Sequence, residues 1–252
     1  MKKYEFTGEV KVKFGVTLKR IRAIIDFGNV KKGEIGGFIE KEENLSHENS
    51  AWIYGNARVY GNAWVYDDAE VYGNARVYGD AEVSGNARVS GNAEVYGNAR
   101  VSGNAEVYGN AEVSGSARVS GNARVYGNAE VYGNARVSGN ARVSGDAEVS
   151  GSARVSGNAR VSGDAEVYDD ARVYGNADYV LIGRIGSRFG FTTFFKNKNK
   201  GVSVSCGCFS GTLAEFRKKV KETHGIDTKC AKVYQAAADL AELQILGNEK
   251  AD

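Results

Sequence analysis

One six-residue unit, Val-(Tyr/Ser)-Gly-(Asn/Asp)-Ala-(Arg/Glu), runs from residue 53 to residue 178 in 21 consecutive copies without an insertion. The fifth place is alanine in every copy, from Ala57 to Ala177, and the first is Ile53 followed by valine through Val173. A period this short excludes helical and leucine-rich solenoids, whose units need at least 20 or so residues. Within each copy Ala, Arg/Glu, Val and Tyr/Ser alternate apolar and polar, the period of a strand with one buried face. Gly-Asn then supplies a corner, because both residues tolerate positive φ. A short strand and a corner, repeated without variation, predict a parallel β-helix. Continuing the fifth-place frame backwards through Ala51, Leu45 and Ile39 extends the expected hexads to Ile35, 24 in all.

The unit resembles the hexapeptide repeat of left-handed parallel β-helices, in which three hexads close one triangular coil. That resemblance implies the hand of the winding, a spacing of eighteen residues between stacked positions, and about 8 coils rising about 4.8 Å each. The leader from Lys19 to Ile39, with Asn44-Leu45-Ser46 and Ala51-Trp52, is similar to that of the YdcK-like bacterial and phage hexapeptide-repeat proteins. The tail, with Ile185-Gly186-Ser187-Arg188 and Cys206-Gly207-Cys208-Phe209-Ser210-Gly211-Thr212-Leu213, resembles the closing domain of prophage versions. The expected fold is therefore an all-β solenoid over 35–178, with a small N-terminal β cap over 1–34 and a small C-terminal α+β capping domain over 179–252. In the first cap Val10, Val12 and Phe14 alternate, Gly15 turns, and Ile21, Ala23 and Ile25 return. In the last, Ile185-Gly186 is expected to start one final turn and Thr192 to Phe195 and Val202 to Cys206 to form strands. Thr212 and Glu215 have capping-box spacing for a helix to about Thr223, and a second helix from about Ala231 to Leu246 carries Val233, Leu240, Leu243 and Ile245.

Little in this chain suggests catalysis. Hexapeptide acyltransferases, which the fold resembles, use a histidine base, and the regular hexads contain neither a histidine nor a projecting loop; His47 lies before them and His224 after. A non-enzymatic protein is expected, with no cofactor. Cys206, Cys208, His224 and Cys230 carry zinc-type ligands but lack a second Cys-x-x-Cys; core thiols are the plainer reading, with both sulfurs of Cys-x-Cys on one strand face. Three cysteines cannot complete a disulfide framework, no apolar run is long enough to span a membrane, and no signal core follows the first residues, so a cytoplasmic protein is expected.

The outward residues carry the functional reading. At eighteen-residue spacing the first side stacks Trp52, Glu70, Arg88, Glu106, Arg124, Arg142 and Arg160. The second stacks Arg58 and Arg76, then Glu94, Glu112, Glu130, Glu148 and Glu166; the third stacks Trp64 and Glu82, then Arg100, Arg118, Arg136, Arg154 and Arg172. Like charges at this spacing repel by about 0.9 kcal/mol per pair in water before screening. Pairing the acidic side of one copy with the basic side of another would relieve both, which predicts a homo-oligomer closed by rotation, with a trimer as the simplest ring and the family's common habit. Trp52, Tyr54, Tyr60, Trp64, Tyr66, Tyr72 and Tyr78 form an aromatic collar on the first coils, read either as a partner surface or as tyrosines stacked to stiffen the coils.

The hexads hold 11 Arg against 16 acidic residues while the flanks are net basic, and without a recognition motif this argues against nucleic acid as the partner. The expected function is a self-associating binding scaffold, phage or prophage encoded, that holds a macromolecule such as a host-defence protein. The alternatives are a small-ligand or nucleotide-sequestering protein with sites at subunit junctions, and an acyltransferase-like enzyme or its inactive descendant.

Overall fold

The protein, described from a computed structural model over residues 1–13 and 15–247, is a parallel β-solenoid of about 8 coils with a β hairpin at one end and an antiparallel sheet with two helices at the other. Three sheets form its sides, and the register is eighteen throughout the regular hexads: Glu94 pairs with Glu112, Arg100 with Arg118, and Arg88 with Glu106. Each coil hydrogen-bonds the next through its backbone, as in Arg100 N to Ala117 O at 2.9 Å and Asn104 N to Gly121 O at 2.7 Å. From Val59 to Val173 every first-place valine is fully buried, and from Ala57 to Ala171 every fifth-place alanine is at most 1% exposed, so the core is one uniform column.

The corner glycine is required for two reasons, and Gly91 shows both. Its φ is +71°, and a Cβ there would lie 2.9 Å from the carbonyl oxygen of Gly109 on the next coil. Beside the glycines, asparagines form amide ladders along the corners: Asn92 Nδ2 donates to Asn110 Oδ1 at 3.1 Å, and Asn110 to Asn128 at 3.0 Å. A second ladder runs from Asn104 through Asn122 and Asn140 to Asn158 at 3.0–3.1 Å. The fourth place was expected only to turn the chain; it also ties successive coils together.

The hexad frame begins later and ends earlier than the alanines suggest. Ile39 pairs with Val59 and Leu45 with Val65, offsets of twenty residues, whereas Trp52 pairs with Glu70 at the regular eighteen. Ile39 and Leu45 therefore occupy valine places, not alanine places, and the corner from Ser46 to Ser50 is two residues longer than a hexad allows. The backward frame to Ile35 is corrected accordingly. At the other end Ala177 leaves the column in a 3-10 turn, Asn176–Asp178.

Strands Tyr4–Lys13 and Val16–Ala23 pair antiparallel, and the second of them pairs with Ile35–Ile39 to extend one side of the solenoid. The inner half of this hairpin closes the first coil with Tyr4, Ile21 and Ala23. Val10 and Val12 are exposed at its outer half, against the alternation expected to bury them, and Phe14 lies outside the described residues.

At the far end Tyr179–Ile185, Gly190–Lys196, Val202–Cys206 and Phe209–Thr212 form an antiparallel sheet. Ile185 thus ends a strand and Gly186 opens a hairpin turn, so the expected final coil does not start there. Phe195 joins the solenoid core, and Thr193 Oγ1 accepts from the Glu166 amide at 3.1 Å, which meets one of the last coil's edge groups.

Helix α1, Leu213–His224, starts at Thr212 with the expected capping box: Thr212 Oγ1 accepts from Glu215 N at 3.3 Å, and Glu215 accepts from Thr212 N at 2.8 Å. Helix α2, Lys229–Leu246, begins two residues before the expected start because the Thr228 hydroxyl caps it. It buries Ala231, Tyr234, Ala238, Ala241 and Ile245, while Leu240 and Leu243 face outward, reversing two of the four positions expected to pack.

Candidate interaction faces

The eighteen-residue register sets the charged residues into the expected columns, and side-chain contacts show where each column is satisfied within the chain. Near the sign changes, arginine reaches glutamate on the adjacent coil: Arg88 to Glu70 at 3.1 Å, Arg100 to Glu82 at 3.1 Å, and Arg124 to Glu106 at 3.0 Å, with Arg76 paired to Glu94. Beyond those coils, among the described residues, Glu112, Glu130 and Glu148 make no ion pair, nor do Arg118, Arg136 and Arg154. Tyr96 and Tyr132 donate to Glu112 at 3.1 Å and to Glu148 at 3.0 Å. Glu130 has no such donor and lies between two glutamates; partial desolvation, with Glu148 and Glu112 beside it, raises its pKa above the ordinary carboxylate value. Glu166 accepts from the Ser205 hydroxyl, and Arg172 donates to the carbonyls of Ala171 and Ser152 at 2.9 and 3.2 Å, so the last member of each column is partly engaged by the chain itself.

The aromatic collar divides. Trp52 is fully buried beneath the hairpin, edge-on to Phe27 at 5.4 Å and to Tyr4 at 6.2 Å, and does not project as expected. Its position in the first coil, where the N-terminal segment covers the side, removed it from the surface. The tyrosines stack along their columns: Tyr54 on Tyr72 at 4.7 Å, Tyr60 on Tyr78 and Tyr78 on Tyr96 at 5.0 Å, all within 7° of parallel. Tyr54 and Tyr66 also donate to Glu70 and Glu82 at 3.4 Å. Burial and the neighbouring Glu70 push the Tyr54 hydroxyl up to about 12. These tyrosines are half-buried within their own ladders, whereas Trp64 stays exposed, stacked on Tyr66 at 4.0 Å.

The thiols do not gather. Cys206 ends one strand and Cys208 lies in the two-residue turn Gly207-Cys208, since Cys206 pairs with Phe209; Cys-x-Cys spans a hairpin turn and not one strand face. Gly207 has φ +57°, as the first central residue of a tight hairpin requires. Cys206 accepts from the Thr192 hydroxyl at 3.1 Å. Cys206, Cys208 and His224 border a groove of about 290 Å³ with Phe191, Phe216 and Tyr234, whereas Cys230 does not line it. Among the described residues no group of three His, Cys, Asp or Glu stands close enough to hold a metal, and Cys208, expected as a core thiol, is exposed.

His47 sits in the two-residue enlargement of the first corner. It is half-buried, stacked on Tyr4 at 4.3 Å, and its Nδ1 accepts from the Lys3 amide at 3.3 Å. Burial lowers its pKa. No signal in the sequence paired it with Tyr4, because the two lie 43 residues apart in different elements.

Fold and faces together define a β-helix repeat protein with long columns of outward charge. Compared with known families, residues 67–182 are similar to the bactofilin family, described as polymer-forming cytoskeletal, and residues 51–67 to the YdcK β-solenoid repeat. No curated protein matches the chain. Among the described residues no helix is long and apolar enough to cross a membrane.

Proposed function

We propose that this chain is a non-enzymatic scaffold that assembles with copies of itself through the acidic and basic sides of its solenoid. The observation that carries the reading is the pair of charge columns on adjacent sides, whose middle members Glu112, Glu130, Glu148 and Arg118, Arg136, Arg154 form no ion pair among the described residues. The similarity to a polymer-forming family supports self-association. Both ends of the apolar column are covered, by Tyr4 and Ile21 at one and by Phe195 at the other, which directs association to the sides.

Copies joined acidic side to basic side form a heterologous contact that closes into a ring, of which a trimer is the smallest. A coil of three equal hexads has three equal sides, so sides laid flat turn successive copies by about 60°, and such a ring closes at about six copies. The resemblance of the leader to bacterial and phage chains, and of the tail to prophage versions, supports a phage or prophage source and a host macromolecule, for instance a defence component, as the cargo. The domain limits 1–34, 35–178 and 179–252 are part of the same reading, the flanks serving as caps.

Static light scattering across a salt series tests it. The expected result is an oligomer at 50 mM salt that dissociates progressively toward 1 M, where the Debye length falls to about 3 Å. A monomer at every ionic strength would overturn the proposal.

A further inference from the structure

The two charged sides match rung by rung, and that match specifies how two copies are oriented. Because every outward position is in register with the one eighteen residues on, the second and third sides can be compared coil by coil. The second side changes sign between Arg76 and Glu94, and the third changes between Glu82 and Arg100, which is the same coil boundary. Above it, the half-buried Arg58 shares a coil with the exposed Trp64, a cation and an aromatic ring.

We infer that the partner of the second side is the third side of another copy, set parallel and with the same coil opposite, so that Arg76 meets Glu82 and each of Glu94 to Glu166 meets the arginine of its own coil. This rests on the self-association proposed above and adds its polarity and register.

The alternatives each bring like charges together. An antiparallel copy sets Arg76 against Arg154 and Glu148 against Glu82. A slip of one coil in one direction sets Arg76 against Arg100, and in the other sets Glu94 against Glu82. The first side is the weaker match, because Glu106 shares a coil with Glu112. Opposed faces of two parallel solenoids run their strands in opposite directions, so the charges of one coil meet on a diagonal of roughly two residues, about 7 Å, which extended arginine and glutamate side chains span. Each rung is a rim-type ion pair of small individual effect, and the specificity comes from six such rungs agreeing in sign while every shifted arrangement carries a repulsion.

The test is a charge swap at the rung where the sign reverses. Arg76→Glu, Glu82→Arg and the double variant are prepared in the full chain, and their association constants are measured by sedimentation equilibrium at 50 mM salt beside the wild type. Both positions of change are outward and the core is untouched; each swap exchanges one intrachain pair, Arg76 with Glu94 or Arg100 with Glu82, for like charges on the surface, so circular dichroism should show the same fold. Expected is a loss of about tenfold or more for each single variant, since each puts like charges on the same rung of every contact, and a return to within about threefold of wild type for the double variant. A single variant that associates more tightly than wild type overturns the inference: tighter Arg76→Glu indicates an antiparallel or slipped contact, and tighter Glu82→Arg the opposite slip or an antiparallel contact. A double variant weakened by the product of the two single losses also overturns it. In these cases a salt-sensitive wild-type oligomer leaves self-association standing, whereas a wild type that is monomeric at every salt concentration removes both.

Discussion

Tyr4 lies flat on His47, ring centroids 4.3 Å apart at 26°, and so joins the N-terminal strand to the corner that departs from the hexad rule. The Tyr4 hydroxyl completes the joint by donating to the Glu42 and Leu45 carbonyls at 3.0 and 3.1 Å. This contact makes cap stability sensitive to pH in a definite direction. Burial holds the His47 pKa below its ordinary value, so between its folded and unfolded pKa values the unfolded chain binds more protons. Stability from this group is full above about 6.5 and falls as pH drops below it. Thermal unfolding at pH 7.5 and pH 5 should show a decrease that shrinks in His47→Gln; an equal decrease in both proteins would refute the assignment.

Lys3 acts in the same cap at higher pH. Its ammonium is enclosed, donating to the Glu48 and Asn49 carbonyls at 3.2 Å each, and desolvation lowers its pKa to about 8 although Asp68 opposes the shift. The folded state thus disfavours the charged amine relative to the unfolded chain, and stability should rise between about pH 8 and pH 10.5. Lys3→Met should flatten that rise while keeping the melting temperature at pH 7 within a few degrees, as measured by circular dichroism.

Replacing Gly91 by alanine should destabilise the solenoid by about 1–3 kcal/mol, because the residue would be held at positive φ with its Cβ against the backbone of Gly109. Gly207→Ala carries the same φ penalty but meets no atom within 4 Å, so its cost should be nearer 1 kcal/mol. Urea unfolding of the two variants would separate the steric from the conformational part; equal losses would contradict the close approach.

Glu130→Gln should stabilise the isolated chain and weaken the assembly. It removes a charge flanked by Glu112 and Glu148, relieving a few tenths of a kcal/mol in each of two contacts, and it deletes one rung of the proposed interface. Unfolding at 50 mM salt on protein dilute enough to be monomeric, and light scattering at 50 mM salt on concentrated protein, measure the two effects; tighter association would count against the interface.

If copies meet side on side as proposed, their number follows from the angle between sides. Mass measurement at low salt should give an assembly of about six chains of 27.0 kDa. A trimer would show that copies meet along their corners and would replace flat contact between sides.

Cys208 is exposed at a hairpin tip, while Cys206 is half-buried and accepts from Thr192. A thiol reagent added to the native protein should modify Cys208 first, with peptide mapping as the readout.

The hexads determined their own structure because every one repeats the same local instruction: two small apolar residues inward, two polar residues outward, and glycine where φ must be positive. The core follows from that repetition; the register and the charge columns follow once three hexads close a coil, which the family resemblance implied and the pairing of residues eighteen apart shows. Where repetition ends, so does legibility. Trp52 looks outward in the hexad pattern and is buried because the chain's first strands fold over it. Ile39 and Leu45 seemed to fill alanine places and fill valine places because the corner at Ser46–Ser50 is longer. Leu240 and Leu243 face outward because the sheet beneath α2 accepts the alanine stripe, where a small side chain permits close approach. Contacts between unlike segments depend on how separate elements meet in space, and only the tertiary structure decided those.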